Sequence, residues 1–193
     1  AYDESVFIEE SIDNVFKTIN EAIVLVILII FLFLRSFRAV AIPLVAIPVA
    51  LVGTFGLMLA VGFTINTLTL LGLVLAVGLV VDDAIVVLEN VHRHVESGMP
   101  RLKAAFRGSR EIGFAIIAMT LTLVSVYAPI GFMSGTTGRL FTEFAWTVAG
   151  AVLVSGVVAL TLSPMMCSKL LRHQPRHNFL YNFFERGLRA LIA

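Results

Sequence analysis

Between Leu70 and Asn90 the chain reads Leu-Leu-Gly-Leu-Val-Leu-Ala-Val-Gly-Leu-Val-Val-Asp-Asp-Ala-Ile-Val-Val-Leu-Glu-Asn, an apolar run carrying two adjacent aspartates, Asp82 and Asp83. A run of this length crosses a bilayer as one helix. An ionised carboxylate near the centre of a bilayer costs roughly 2.5–3.5 kcal/mol on insertion scales. Two in succession demand a use, and the physical default is a proton or cation site.

The rest of the chain is equally apolar. It is 59% hydrophobic and 14% charged, with a mean hydropathy of +0.97, whereas soluble domains are about 25% charged. An integral membrane protein follows. The basic residues sit in short segments between apolar spans, so a nucleic-acid partner is excluded. Cys167, the single cysteine, has no partner for an internal disulfide and reads as a small packing residue.

Five transmembrane helices are expected, at 15–34, 40–61, 66–88, 114–133 and 144–166. Phe7, Ile8, Ile12, Val15, Phe16 and Ile19 recur at helical spacing within the acidic start and run into the uncharged stretch Ala22–Leu34. That stretch is shorter than the ~20 residues a crossing requires, so the first span takes Glu21 into its outer edge. Ala39–Val81 carries no charge and divides at Gly62–Thr67. Pro43 and Pro48 predict a bend in the second span.

The segment 89–113 is polar and basic, with a turn at Ser97–Pro100 and a short surface helix expected over 101–112. Gly150, Ser155, Gly156 and Ala159 suit the fifth span to close helix contact. Residues 173–193 alternate apolar and charged positions, as an amphipathic interfacial helix does, and this sets them apart from the membrane bundle 1–172. The fold class is all-α membrane protein.

Arg35–Arg38, Arg93–Arg110 and Lys169–Arg176 fall on one side by helix counting, and basic loops mark the cytoplasmic side. Residues 89–113 and 167–193 are then cytoplasmic and 1–14 external. An odd number of spans, with an outside start that lacks an initiator Met, predicts a segment of a longer protein.

Adjacent helical residues point about 100° apart, so Asp82 and Asp83 cannot share a face. Leu79, Ala76 and Gly72 lie on the side of Asp83, and Gly78 on that of Asp82. Gly72-x-x-x-Ala76 has small-xxx-small spacing. No Lys or Arg lies within a span. Low dielectric and like charge both favour a protonated carboxyl, so at least one aspartate is expected to hold a proton at neutral pH.

A purely structural polar network is disfavoured, since apolar replacements are usually as stable. Aspartyl hydrolysis needs a second acid converging from another helix, and none is present, so no enzymatic activity is expected. His92 and His94 do not share a helical face and read as solvated, leaving no metal site and no cofactor beyond protons. Asn66, Thr67, Asn90 and Glu21 are candidates for a hydrated path to the pair, with helix capping an equal reading for Asn66 or Thr67.

Phe63–Thr69 followed by Gly78–Asn90 closely resembles the aspartate-pair helix of the resistance-nodulation-division (RND) transporters. Leu32–Arg38, Pro43, Pro48 and Leu162-Ser163-Pro164 resemble that family as well. Heavy-metal branches usually carry a single aspartate followed by Ala, and the mycobacterial lipid branch Asp-Tyr. The Asp82-Asp83 pair therefore favours the hydrophobe/amphiphile multidrug branch.

The resemblance implies the second to sixth of twelve spans, followed by the cytoplasmic surface helix between the two halves. It also implies a homotrimer in the inner membrane that exports amphiphilic small molecules against proton influx. Its partners would be a periplasmic adaptor and an outer-membrane channel, with Asp82 and Asp83 as proton carriers and an essential Lys from the second half. Lipid or metal-ion export, and a non-transporting scaffold of the same ancestry, are the alternatives. The segment alone would not transport.

Overall fold

The computed structural model describes residues 37–171 without a break, and ahead of them 12–14, 16–18, 20, 21, 23–25, 27 and 28. The first expected span is thus described in part. The surface helix expected at 173–193 lies outside the described residues. Those described ahead of residue 37 are helical, and Ile23 and Ile27 pack against the main core.

Four helices follow: α1 (Phe37–Val61), α2 (Thr67–Glu96), α3 (Arg101–Tyr127) and α4 (Gly135–Leu170), with a 3₁₀ turn at Ala128–Phe132 between α3 and α4. No strand occurs among the described residues. Arg38–Val61, Thr67–Glu96, Arg101–Phe132 and Phe141–Leu170 are each long and apolar enough to cross a membrane. Over the described residues this is an all-α, multi-pass membrane chain.

The connections explain themselves locally. Gly62 and Gly98 adopt φ of 79° and 88°, a region open to glycine at no steric cost. At the end of α2, Gly98 N–H donates to the Val95 carbonyl and Met99 N–H to that of His94. This is a Schellman ending. Pro100 then opens α3. At the far end of α3, Pro129 lacks the N–H an α-helix needs, and the chain tightens into the 3₁₀ turn.

α2 and α4 run 30 and 36 residues, longer than about 20 residues of hydrocarbon requires, so their ends project past the apolar layer. The short surface helix expected at 101–112 and the span expected from 114 are one continuous helix. The reason is packing: Ala104, Ala105 and Gly108 are buried, and Gly108 lies so close to Val91 that a Cβ would fall 3.0 Å from the Val91 Cα. α3 therefore extends against α2 rather than turning along a surface.

α4 is the central element and touches the other three helices and the 3₁₀ turn. It does so through small residues: a Cβ on Gly150 would meet Leu57 of α1 at 2.9 Å, and one on Gly156 would meet Thr120 of α3 at 2.7 Å. On α2 the small-xxx-small face packs the same way, Gly72 lying against Val148 and Phe144. Cys167 is buried in the main core with Leu88, Val91 and Val95.

The two ends of the bundle differ in chemistry. Arg93, Arg101, Lys103, Arg107, Arg110 and Lys169 collect where α2 ends, α3 begins and α4 ends. The opposite end carries an aromatic group, Phe132 on Trp146 at 5.4 Å and Tyr127 on Phe144 at 6.5 Å, both edge-to-face. Aromatic side chains of this kind concentrate at membrane interfaces.

Candidate functional site

Asp82 and Asp83 lie near the midpoint of α2, and their surroundings are opposite. Asp83 is 7% exposed and its Oδ2 accepts a hydrogen bond from Ser155 Oγ of α4 at 2.7 Å. At this level Val80 and Ala84 of α2 pack with Ala46 and Ala50 of α1 and Val158 of α4. Asp83 is thus held where three helices meet.

α4 reaches Asp83 because its backbone can come close. Ser155 faces α2 while Gly156, next in the chain, backs onto Thr120 of α3. A larger residue at 156 would crowd the Thr120 side chain, the nearest atom being its Oγ1 at 2.7 Å.

Asp82 is exposed in this chain. It sits in a stripe of α2 residues, Leu71, Leu75, Gly78, Asp82, Val86 and Glu89, all exposed and at helical spacing. A Cβ built on Gly78 meets nothing within 4 Å. Among the described residues the second face of the aspartate helix is open, whereas the face bearing Asp83, Ala76 and Gly72 is closed. Neither aspartate forms a salt bridge among the described residues.

The Asp83–Ser155 pair tolerates either protonation state. A serine hydroxyl donates to a carboxylate and, after rotation, accepts from a carboxylic acid. A Lys or backbone N–H in its place donates only, and would hold the charged form alone.

Asn66 is the N-cap of α2. Its Oδ1 accepts from the backbone N–H groups of Leu68 and Thr69, each at 3.0 Å, and Thr69 Oγ1 accepts from the Asn66 N–H at 2.9 Å. This completes a capping box. Its side-chain amide donates to Glu143 Oε2 at 2.7 Å, and Thr64 Oγ1 donates to the same oxygen at 2.9 Å. Thr67 is exposed beside it, and Glu21 is exposed in the helical residues ahead of α1.

At the other end, Asn90 Nδ2 donates to the Gly108 carbonyl at 2.8 Å and Asn90 Oδ1 accepts from Arg93 at 2.8 Å. Nearby, His94 Nε2 lies 2.8 Å from Glu111 Oε2 and Arg107 Nε 3.2 Å from Glu111 Oε1. Asn66 and Asn90 thus make the bonds of a cap and of an interhelix staple, well away along α2 from the aspartates.

Sequence reasoning missed two partners. Ser155 reads as one more small residue in a helix rich in them, and only a hydroxyl on a helix facing a carboxylate could have marked it. Glu143 reads as a residue leading into a span, and nothing in one dimension joins it to Asn66.

The AcrB/AcrD/AcrF family matches the chain over residues 1–193. An uncharacterized transporter of Haemophilus influenzae is 51% identical over 187 residues, 97% of this chain and 18% of that protein. Multidrug resistance protein MdtC of Yersinia enterocolitica is 53% identical over 175 residues, and MdtC of Pectobacterium atrosepticum 50% identical over 178. These alignments take in 91% and 92% of this chain and 17% of each MdtC protein. The chain therefore spans less than a fifth of the length of the relatives it matches.

Proposed function

This chain belongs to the AcrB/AcrD/AcrF family of RND transporters, and from that premise we propose that it is the proton-carrying part of an inner-membrane proton/drug antiporter. The full-length protein exports amphiphilic compounds as a homotrimer, coupled to a periplasmic adaptor and an outer-membrane channel. It moves its substrate without transforming it. The basic end of the bundle faces the cytoplasm and the aromatic end the periplasm, following the bias of basic segments to the inside.

One observation carries this reading: the aspartate pair is split between a closed and an open face. Asp83 is buried against Ser155, a partner suited to both of its protonation states. Asp82 looks out over Gly78 from a face that none of the described residues covers. A further helix of the full-length protein closes that face and brings a basic side chain to Asp82. Taking up a proton then weakens that pairing, and losing it restores the pairing. A change in local charge is thereby turned into movement between helices.

Asp82→Asn and Asp83→Asn, each made in the full-length protein, are expected to abolish drug resistance while leaving expression and assembly intact. Proteoliposomes of the unaltered protein should move substrate only under an imposed pH gradient. Normal efflux by both variants, or transport indifferent to the gradient, would overturn the proposal.

A further inference from the structure

We propose that the first half of α3 is a docking surface for an anionic phospholipid. The lipid phosphate lies among Lys103, Arg107 and Arg110, and the acyl chains run from there past Leu160 and Phe114. Lys103, Arg107, Arg110 and Leu160 line an open cleft of about 550 Å³ between α3 and α4.

Three observations select this occupant. First, two of the charges stand where the helix itself disfavours them. The first turn of a helix favours anions and repels cations, yet the first turn of α3 has no acid and carries Arg101 and Lys103. Helix stability does not explain them. Second, they are largely uncompensated. Arg107 pairs with Glu111 at 3.2 Å, but among the described residues Arg101, Lys103 and Arg110 make no ion pair. Third, the depth is that of a lipid headgroup. Arg110 stands one turn before Phe114, where the uncharged span begins, and Phe114 is 83% exposed. A cation one turn outside the hydrocarbon, above an exposed aromatic ring, matches a phosphate with its acyl chains below it.

Charge also argues against the chain's own continuation as occupant. Residues 172–193 hold Arg172, Arg176, Arg186 and Arg189 against Glu185 alone, so they share the sign of the cleft.

The test is native mass spectrometry of the full-length protein in detergent, titrated with phosphatidylglycerol or phosphatidylcholine. Phosphatidylglycerol should bind in preference. K103Q/R110Q, which leaves the Arg107–Glu111 pair in place, should lose one tight phosphatidylglycerol site per subunit, weakened about thirty-fold, or roughly fivefold for each cation removed. Phe114→Ser should weaken the same site with no change in charge. K103R/R110K should keep it, showing that charge rather than folding is read out. Phosphatidylglycerol binding undiminished in K103Q/R110Q, equal binding of phosphatidylcholine, or displacement of the lipid by inorganic phosphate would each overturn the proposal.

Discussion

Gly108 is the glycine that another helix's backbone approaches most closely. A Cβ there would fall 2.9 Å from Val91 Cγ2, 3.0 Å from Val91 Cα and 3.1 Å from Val91 N. Two of these three atoms are backbone and cannot rotate away. Gly108→Ala therefore forces α2 and α3 apart by several tenths of an ångström. The same movement stretches the 2.8 Å bond from Asn90 Nδ2 to the Gly108 carbonyl. Overpacking of this kind costs about 1–3 kcal/mol, and a weakened hydrogen bond adds about 1 kcal/mol. Against this, replacing a helical glycine by alanine gains about 1 kcal/mol. The net loss is about 1–3 kcal/mol.

Gly113, further along α3, supplies the control. Its added Cβ would meet only Leu160 Cδ2 at 3.9 Å, an ordinary contact. Gly113→Ala should keep the stability of the parent protein or raise it slightly. The measurement is the apparent Tm of each full-length variant in detergent, followed by fluorescence-detected size exclusion after heating. Adding Val91→Ala to Gly108→Ala removes the Cγ2 contact but neither backbone contact, so recovery should be partial. Equal Tm values for the two alanine variants would refute the reasoning. Full recovery in the double variant would show that the side chain, not the backbone, sets the limit.

Ser155→Ala removes the hydroxyl on Asp83, and since interhelical hydrogen bonds in membranes are worth about 0.6 kcal/mol and at most about 1.7, the variant should assemble normally yet lose substrate transport in proteoliposomes. Undiminished transport would remove Ser155 from the site. Gly98→Ala places a Cβ on a residue with φ of 88°, a strain of about 1–2 kcal/mol, and should lower the apparent Tm, whereas Gly56→Ala, whose Cβ meets nothing within 4 Å, should not. Glu143→Leu deprives Thr64 and Asn66 of their shared acceptor and should speed hydrogen exchange at the start of α2, measured by mass spectrometry, with the middle of the helix unchanged.

By itself the sequence determined that the chain is helical and membrane-embedded, that the Asn66 and Gly98 regions are helix ends, and that Asp82 and Asp83 point in different directions. These follow from local chemistry: apolar run length, the capping ability of an asparagine, the φ freedom of a glycine, and the 100° step of a helix. The small residues of the third and fifth expected spans also announced close contact, and Gly72, Gly150 and Gly156 are where the helices meet.

Only the tertiary structure decided which aspartate is buried, that Ser155 is its partner, and that residues 101–112 continue into a long helix. In water, a buried helix face is apolar and an exposed one polar, so hydropathy reveals the core. In lipid both faces are apolar. On α1 the buried Ile42, Ile47 and Met58 are no more hydrophobic than the exposed Leu44, Val52 and Leu59. Periodicity has nothing to read there, and the choice of face passes to close packing between backbones, which no single stretch of sequence contains.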